Sequence, residues 1–293
     1  MMIRILCCAL GVSLPLGASC AQQDDVPSQQ EETFTDLTPG QGMLDPANLG
    51  LLVQRGDARA MNNVGLLWAK GFDGKQSFEE ALRWWKEAAK RGYTVSMNNI
   101  GLAYANGHGV EQDMKQAFDW WMQSAFQGNA WAMNAVGDCY ETGEGVARDY
   151  SLAMTWYQTA AQAGDVLAHY NIGALYERGY GVDRDYEEAL YWYREAAAGG
   201  DAGSMRAIAR FYREGLGVEV DLTEAYAWHR VAALRFKPQE IEEAQSNRME
   251  AERLAERLSP PQRDRSAQRL EQLEVLTRPP EPEKPLAPGE TRI

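Results

Sequence analysis

Few residues in this chain of 293 are of types that do chemistry, and their spacing argues against a shared centre. The three histidines, His108, His169 and His229, have no metal-ligand spacing to one another or to a cysteine. Of the four cysteines, Cys7, Cys8 and Cys20 fall within the first 21 residues. That leaves Cys139 beyond them, so there is no internal disulfide framework. Its neighbours Val136 and Tyr140 belong to an apolar helix face, where a thiol packs as a small hydrophobe. Acidic pairs such as Glu79-Glu80 and Glu187-Glu188 fall where a helix N-terminus favours negative charge. No nucleophile elbow, zinc-protease helix, phosphate loop or dinucleotide fingerprint occurs. The reading is of a chain that is not an enzyme and needs no cofactor or metal.

Composition narrows the partners. Lys and Arg number 29 against 42 Asp and Glu, a net charge of −13. No surplus of cations exists to neutralise phosphates, which excludes a general nucleic-acid binder. Apolar residues make up 45%, enough for a packed core. Residues 1–21 read as an export signal: Arg4, an apolar run from Ile5 to Leu16, then Gly17-Ala18-Ser19-Cys20-Ala21. Ser19-Cys20-Ala21 suits cleavage before Gln22, giving a periplasmic or secreted protein. The alternative is a lipid anchor on Cys20 and an outer-membrane location, although Leu16 stands one residue too far from the Cys for the usual lipobox. No second segment has transmembrane length.

The elements that position these residues repeat. Gly65, Gly101, Gly137 and Gly173 are 36 residues apart, as are Trp84, Trp120, Trp156, Trp192 and Trp228. Trp68, Tyr104, Tyr140, Tyr176 and Tyr212 form a third column, and Gly92, Gly128, Gly164 and Gly200 a fourth. Five units follow: 57–92, 93–128, 129–164, 165–200 and 201–236. Each reads as two helices. Helix A ends at glycines such as Gly107 and Gly109. Helix B opens with capping-box spacing in Ser77…Glu80, Asp113…Gln116, Asp185…Glu188 and Asp221…Glu224. It carries an i, i+3, i+4, i+7 stripe, as in Ala81, Trp84, Trp85 and Ala88, and ends at a glycine suited to the left-handed C′ position. The helix A glycine predicts close approach of helix B, with the Trp84 column lying against bare backbone. Hairpins of this size cannot bury both faces alone, so they must stack.

The units resemble Sel1-like repeats, relatives of the tetratricopeptide repeat. The matching words are Asn99-Ile100-Gly101-Leu102-Ala103-Tyr104, Gly107-His108-Gly109-Val110, Trp120-Trp121 and Ala160-Ala161-Gln162-Ala163-Gly164-Asp165. The first unit departs most, with Phe72-Asp73-Gly74 in the loop. The resemblance implies an all-α, right-handed α-solenoid of five helix-turn-helix repeats. It also implies a non-enzymatic envelope scaffold that binds a protein or peptide in its concave groove. Recognition of a glycan or the cell wall is the alternative. A β-lactamase-like activity is remote, because the cysteine-rich relatives described that way carry a Cys pair in each repeat and this chain has none.

Flanking segments complete the organisation. Residues 22–44 read as a disordered linker and 45–56 as an N-terminal capping helix. Residues 237–277 read as capping helices with apolar positions Ile241, Ala244, Met249, Leu254, Leu258, Ala267, Leu270 and Leu273. Residues 278–293 read as a Pro-rich tail. If helix A lines the groove as in tetratricopeptide stacks, the exposed register holds Asn62, Asn98, Asn134, Tyr170 and Arg206. Trp131, Asp138 and Arg210 lie near it. The Asn side chains, donor and acceptor together, would hold a peptide backbone. The adjacent Asn63, Asn99 and Asn171 are expected to bond a loop.

Overall fold

The structure, a computed structural model, describes residues 46–71 and 74–278. Residues 1–45, which include Cys20 and the segments read as an export signal and a linker, Phe72-Asp73, and residues 279–293 of the segment read as a Pro-rich tail lie outside the described residues. Thirteen helices and no strand occur among the described residues. They fall into two compact units, divided between Asp113 and Met114.

The first unit contains α1 (Pro46–Gln54), α2 (Ala58–Lys70), α3 (Phe78–Ala89) and α4 (Thr94–Asn106), each packed on the next. Asp57 caps α2 by accepting from the Ala60 N–H at 2.7 Å, and Ser77 caps α3 by accepting from the Glu80 N–H at 3.2 Å. The second unit contains α5 (Met114–Phe126), α6 (Ala130–Thr142), α7 (Tyr150–Gln162), α8 (Val166–Arg178), α9 (Tyr186–Ala198), α10 (Ala202–Glu214) and α11 (Leu222–Arg235). Two longer helices, α12 (Ile241–Arg257) and α13 (Pro260–Leu276), both pack on α11. Helices α2, α4, α6, α8 and α10 are the helix A elements; α3, α5, α7, α9 and α11 are the helix B elements.

The glycine columns have two distinct causes. After helix B, Gly92, Gly128, Gly164 and Gly200 adopt φ of 81°, 90°, 93° and 92°, the left-handed exit that a side chain resists. In the loop after helix A, the second glycine of each Gly-x-Gly pair also faces backbone. A Cβ on Gly109 would lie 2.7 Å from the Phe78 carbonyl carbon, and one on Gly145 would lie 2.7 Å from that of Met114. The Gly-x-Gly loop is therefore the contact between one repeat and the helix B start of the repeat before it.

One expectation is corrected inside the hairpins. The ring against the helix A glycine comes from the residue after the Trp84 column. A Cβ on Gly65 would lie 2.5 Å from Trp85 Cδ1, and one on Gly137 would lie 2.6 Å from Tyr157 Cδ1. Trp85, Trp121, Tyr157 and Tyr193 are buried, whereas Trp84, Trp120, Trp156 and Trp192 are half-buried; Trp228, the fifth of that column, is itself buried. Both columns fall within the helix B apolar arc, so periodicity does not choose between neighbours 100° apart.

The C-terminal helices are also corrected in part. Ala244, Leu254, Leu258 and Leu273 are buried, but Ile241 and Met249 are 58% and 55% exposed. Arg235 fastens α13 to α11, donating to the Glu274 carbonyl at 2.8 Å and the Thr277 carbonyl at 3.2 Å. These are carbonyls of a helix C-terminus, where a cation is favoured.

Candidate functional site

The asparagine column is buried rather than exposed. Asn62, Asn98 and Asn134 are 0%, 3% and 7% exposed, and Tyr170 is 4% exposed. Asn62 Oδ1 accepts from Ser96 Oγ at 2.9 Å and from Asn99 Nδ2 at 3.0 Å. Asn134 Oδ1 accepts from Asn171 Nδ2 at 2.9 Å. The amides thus join helix A of one repeat to helix A of the next, and Asn99 and Asn171 reach that column rather than a loop. Buried amides need such partners, because water cannot supply them. Buried and bonded to the neighbouring helix, these side chains present no row to a peptide backbone.

The other sequence-selected residues separate into three places, all in the second unit. Trp131 is half-buried and meets Trp121 edge to face, with centroids 6.1 Å apart. Asp138 is half-buried and lies 3.3 Å from the Tyr157 hydroxyl, which donates its proton to Glu141 at 2.8 Å. Loss of solvation, with Glu141 and Glu144 adding repulsion, pushes the Asp138 pKa up to about 7. Tyr170, Arg206 and Arg210 come together on one cleft of about 240 Å³.

That cleft is framed by α8, α10 and α12 and crossed by ion pairs. Arg178 meets Glu141 at 3.3 Å, Arg210 meets Glu177 at 2.7 Å, and Arg213 meets Glu250 at 2.6 Å. Glu141 and Glu177 hold equivalent places in successive repeats, and each accepts from a tyrosine hydroxyl, Tyr157 at 2.8 Å and Tyr193 at 2.7 Å. In the first unit the equivalent ring is Trp85, whose indole N–H donates instead to the Asn62 carbonyl at 3.2 Å. Exchanging Trp for Tyr therefore converts a backbone-directed ring into one that anchors a carboxylate, and the Tyr193–Glu177 pair stands at the cleft.

His229 also lines the cleft, at 5% exposure, with Nδ1 2.8 Å from Asn247 Oδ1. Burial pushes its pKa below the ordinary histidine value, only partly countered by Asn247 and Glu250. Sequence reasoning placed His229 among packing residues and did not anticipate Arg213, Asn247 or Glu250. The last two lie outside the repeats, so no column exposes them. Cys139 is fully buried, and burial pushes its thiol pKa far up, which suits packing rather than attack. Among the described residues, no helix is long and apolar enough to cross a membrane.

With the hairpins and their contacts established, the class of protein is defined. The Sel1 repeat family model matches residues 58–93, 94–129, 132–165, 166–201 and 202–235, and the chain belongs to that family. The fold class is accordingly the all-α helix-hairpin solenoid, with five repeats. Sel1 repeat proteins are in general non-catalytic scaffolds that bind other proteins.

Particular relatives are seen among solved structures. A Sel1 repeat protein from Oxalobacter formigenes is 30% identical, with a TM-score of 0.60; the match covers 66% of this chain and 79% of that one. The c5321 protein, a protective antigen present in uropathogenic Escherichia coli strains and displaying an SLR fold, is 32% identical with a TM-score of 0.59. That match covers 64% of this chain, which spans only 40% of the antigen. No curated protein matches the chain.

Proposed function

We propose that this chain is a non-enzymatic interaction scaffold of the bacterial cell envelope, holding a segment of a partner protein on its second unit in envelope regulation or assembly. The carrying observation is the cleft, where Tyr170, Arg206 and Arg210 from successive repeats open onto one space. Repeat folds present extended surfaces of this kind to partners. The functional test is capture of partners from envelope extract by the full chain, compared with Arg206→Glu. Loss of a captured protein from a variant that keeps its helical circular dichroism supports this face; unchanged capture moves the binding surface elsewhere.

The envelope location rests on the export reading of residues 1–21, with release into the periplasm or medium, or anchoring through Cys20. Mass spectrometry of the N-terminus separates these. Gln22 at the start supports the soluble form, a diacylglyceryl Cys20 supports the anchored form, and an unprocessed Met1 removes the envelope from the proposal.

A second reading, recognition of a glycan, is favoured by two exposed aromatic edges. Phe126 is 75% exposed and lies edge-on to Trp156, and Tyr191 is 52% exposed and lies edge-on to Trp192. Such rings offer faces on which a sugar can stack. Retention on purified cell-wall sacculi or polysaccharide, abolished by Phe126→Ser with Tyr191→Ser, would favour it over the protein partner.

A further inference from the structure

Helix α12 is held down by little apolar surface. Its buried residues are Ala244, Asn247, Ala251 and Leu254, spaced i, i+3, i+7 and i+10 along one seam. Two alanines and one leucine are thus the buried apolar residues of a 17-residue helix, and an amide stands in the middle of their row. Across the seam, Asn247 meets His229 of α11, and both side chains are buried. The same column holds Trp85, Trp121, Tyr157 and Tyr193 in the earlier repeats. The fifth repeat alone puts there a ring that titrates near neutral pH.

The bond between the two residues admits one protonation state of the ring. Asn247 Nδ2 donates to the Glu243 carbonyl at 2.9 Å, which turns Asn247 Oδ1 toward the imidazole. Nδ1, 2.8 Å from that oxygen, therefore carries the proton and donates. Nε2 is buried and has no hydrogen-bond partner. A second proton would create a charged N–H there with no acceptor to meet it. The surroundings do not reverse this. Burial lowers the His229 pKa below the ordinary 6.5; Asn247 and Glu250 on α12 favour a charge on the ring, and Arg213 and Arg206 on α10 oppose one. Glu250 is itself engaged by Arg213 at 2.6 Å. In the same cleft, α8 brings Glu177, paired with Arg210, and Arg178, paired with Glu141. From α9, the Tyr193 hydroxyl donates to Glu177. From α13, Arg269 pairs with Glu224 in the first turn of α11.

We propose that the His229–Asn247 pair is an acid-sensitive latch: uptake of a solvent proton at Nε2 releases α12 from α10 and α11, opening the cleft that α12 walls with Ser246, Asn247 and Glu250. The latch stands on the packing of α12; its consequence for a bound segment rests on the partner-binding reading above. No other bond is made or broken covalently. With α12 released, His229 takes up its proton near the ordinary value; with α12 docked, it does so only at lower pH. Docking therefore keeps its full advantage above about pH 6.5 and loses it as pH falls through the docked midpoint, by up to about tenfold in the docking equilibrium per pH unit between the two midpoints. Asp138 cannot mimic this, because its raised pKa makes its contribution grow as pH falls.

The test is hydrogen–deuterium exchange of the full chain, read by peptide mass spectrometry between pH 7.5 and 5.0, with exchange times scaled to the intrinsic amide rate at each pH. Protection of residues 241–257 is expected to fall at least fivefold across that range while residues 202–214 stay protected. His229→Gln keeps a donor for Asn247 Oδ1 but takes up no proton, so α12 should stay protected throughout. Asn247→Asp sets a carboxylate against Nδ1 and favours the imidazolium, so protection of α12 should hold or rise as pH falls. The two variants alter opposite sides of the seam, and either one that folds decides the matter. Loss of protection in α10 and α12 together, or loss in His229→Gln at the same pH as in the wild type, overturns the latch. Partner capture from envelope extract at pH 7.5 and 5.5 is a separate readout. Capture that changes with pH in the wild type and not in His229→Gln supports the opening of the cleft, and capture equal at both pH values overturns that consequence. Capture absent at both removes the partner-binding reading, while the exchange result still decides the latch.

Discussion

Asn99 donates its side-chain amide to Asn62 across 37 residues of sequence, Nδ2 to Oδ1 at 3.0 Å, with both residues buried. Asn171 repeats the bond to Asn134 at 2.9 Å. Apolar burial drives hairpins together without fixing direction, and an amide bond between successive helix A elements adds a directional term. Successive hairpins are thereby registered by polar contacts inside an apolar stack.

Asn62→Ala should therefore destabilise the fold rather than alter a surface. It would strand the Ser96 hydroxyl and the Asn99 amide, each at a cost of about 1–3 kcal/mol when buried without a partner. A loss of at least about 2 kcal/mol in urea denaturation is expected. A loss under about 0.5 kcal/mol would mean that the amide column contributes nothing to stacking.

The loop glycines offer a controlled comparison. Gly145 has φ of 75° and its Cβ position abuts the Met114 backbone, whereas Gly164 has φ of 93° with open space around it. Gly164→Ala should cost about 1–2 kcal/mol, the price of left-handed backbone alone. Gly145→Ala should cost more, because neighbouring backbone must also move. Equal losses would show that the contact yields freely.

Much of this fold is legible in the sequence because its rules are local. Ser77 and Asp185 announce helix starts, and Gly92 and its equivalents announce exits. The inward residue of each helix is less legible, since Trp84 and Trp85 both fit the apolar arc. The cleft was written in a pair of columns that only contact reveals. Positions 69, 105, 141, 177 and 213 read Ala, Ala, Glu, Glu, Arg, while positions 85, 121, 157, 193 and 229 read Trp, Trp, Tyr, Tyr, His. Ring and partner change together, and the Tyr157–Glu141 and Tyr193–Glu177 bonds supply the reason. The partners from α12 have no such signal, because that helix lies outside the repeat.

The two tryptophans of α3 should respond differently to truncation. Trp85 is 1% exposed, lies against Gly65 and donates to the Asn62 carbonyl. Trp85→Ala should cost about 3–5 kcal/mol, the range for a buried aromatic. Trp84→Ala removes a half-buried ring and should cost less than half as much in the same urea titration. The reverse order would place the Trp84 column at the hairpin interface after all.

Asp138 makes stability depend on pH in an unusual direction. Its folded pKa is pushed up to about 7 from the ordinary 3.8, chiefly by lost solvation and then by Glu141. The folded state therefore holds a proton that the unfolded chain releases near pH 4. The associated stability is fully present below that pH and is lost as pH rises toward 7. A full proton difference corresponds to at most about 1.4 kcal/mol per pH unit. The residual exposure of Asp138 reduces this, and carboxylates held low by arginines, such as Glu250, act with the opposite sign. The contribution is isolated by comparison with Asp138→Asn, which keeps a polar group beside the Tyr157 hydroxyl but cannot ionise. The variant should gain stability relative to the wild type as pH is raised from 5 to 7.5, measured by urea denaturation at each pH. A difference between the two proteins that stays constant across that range would mean that Asp138 is already ionised in the fold.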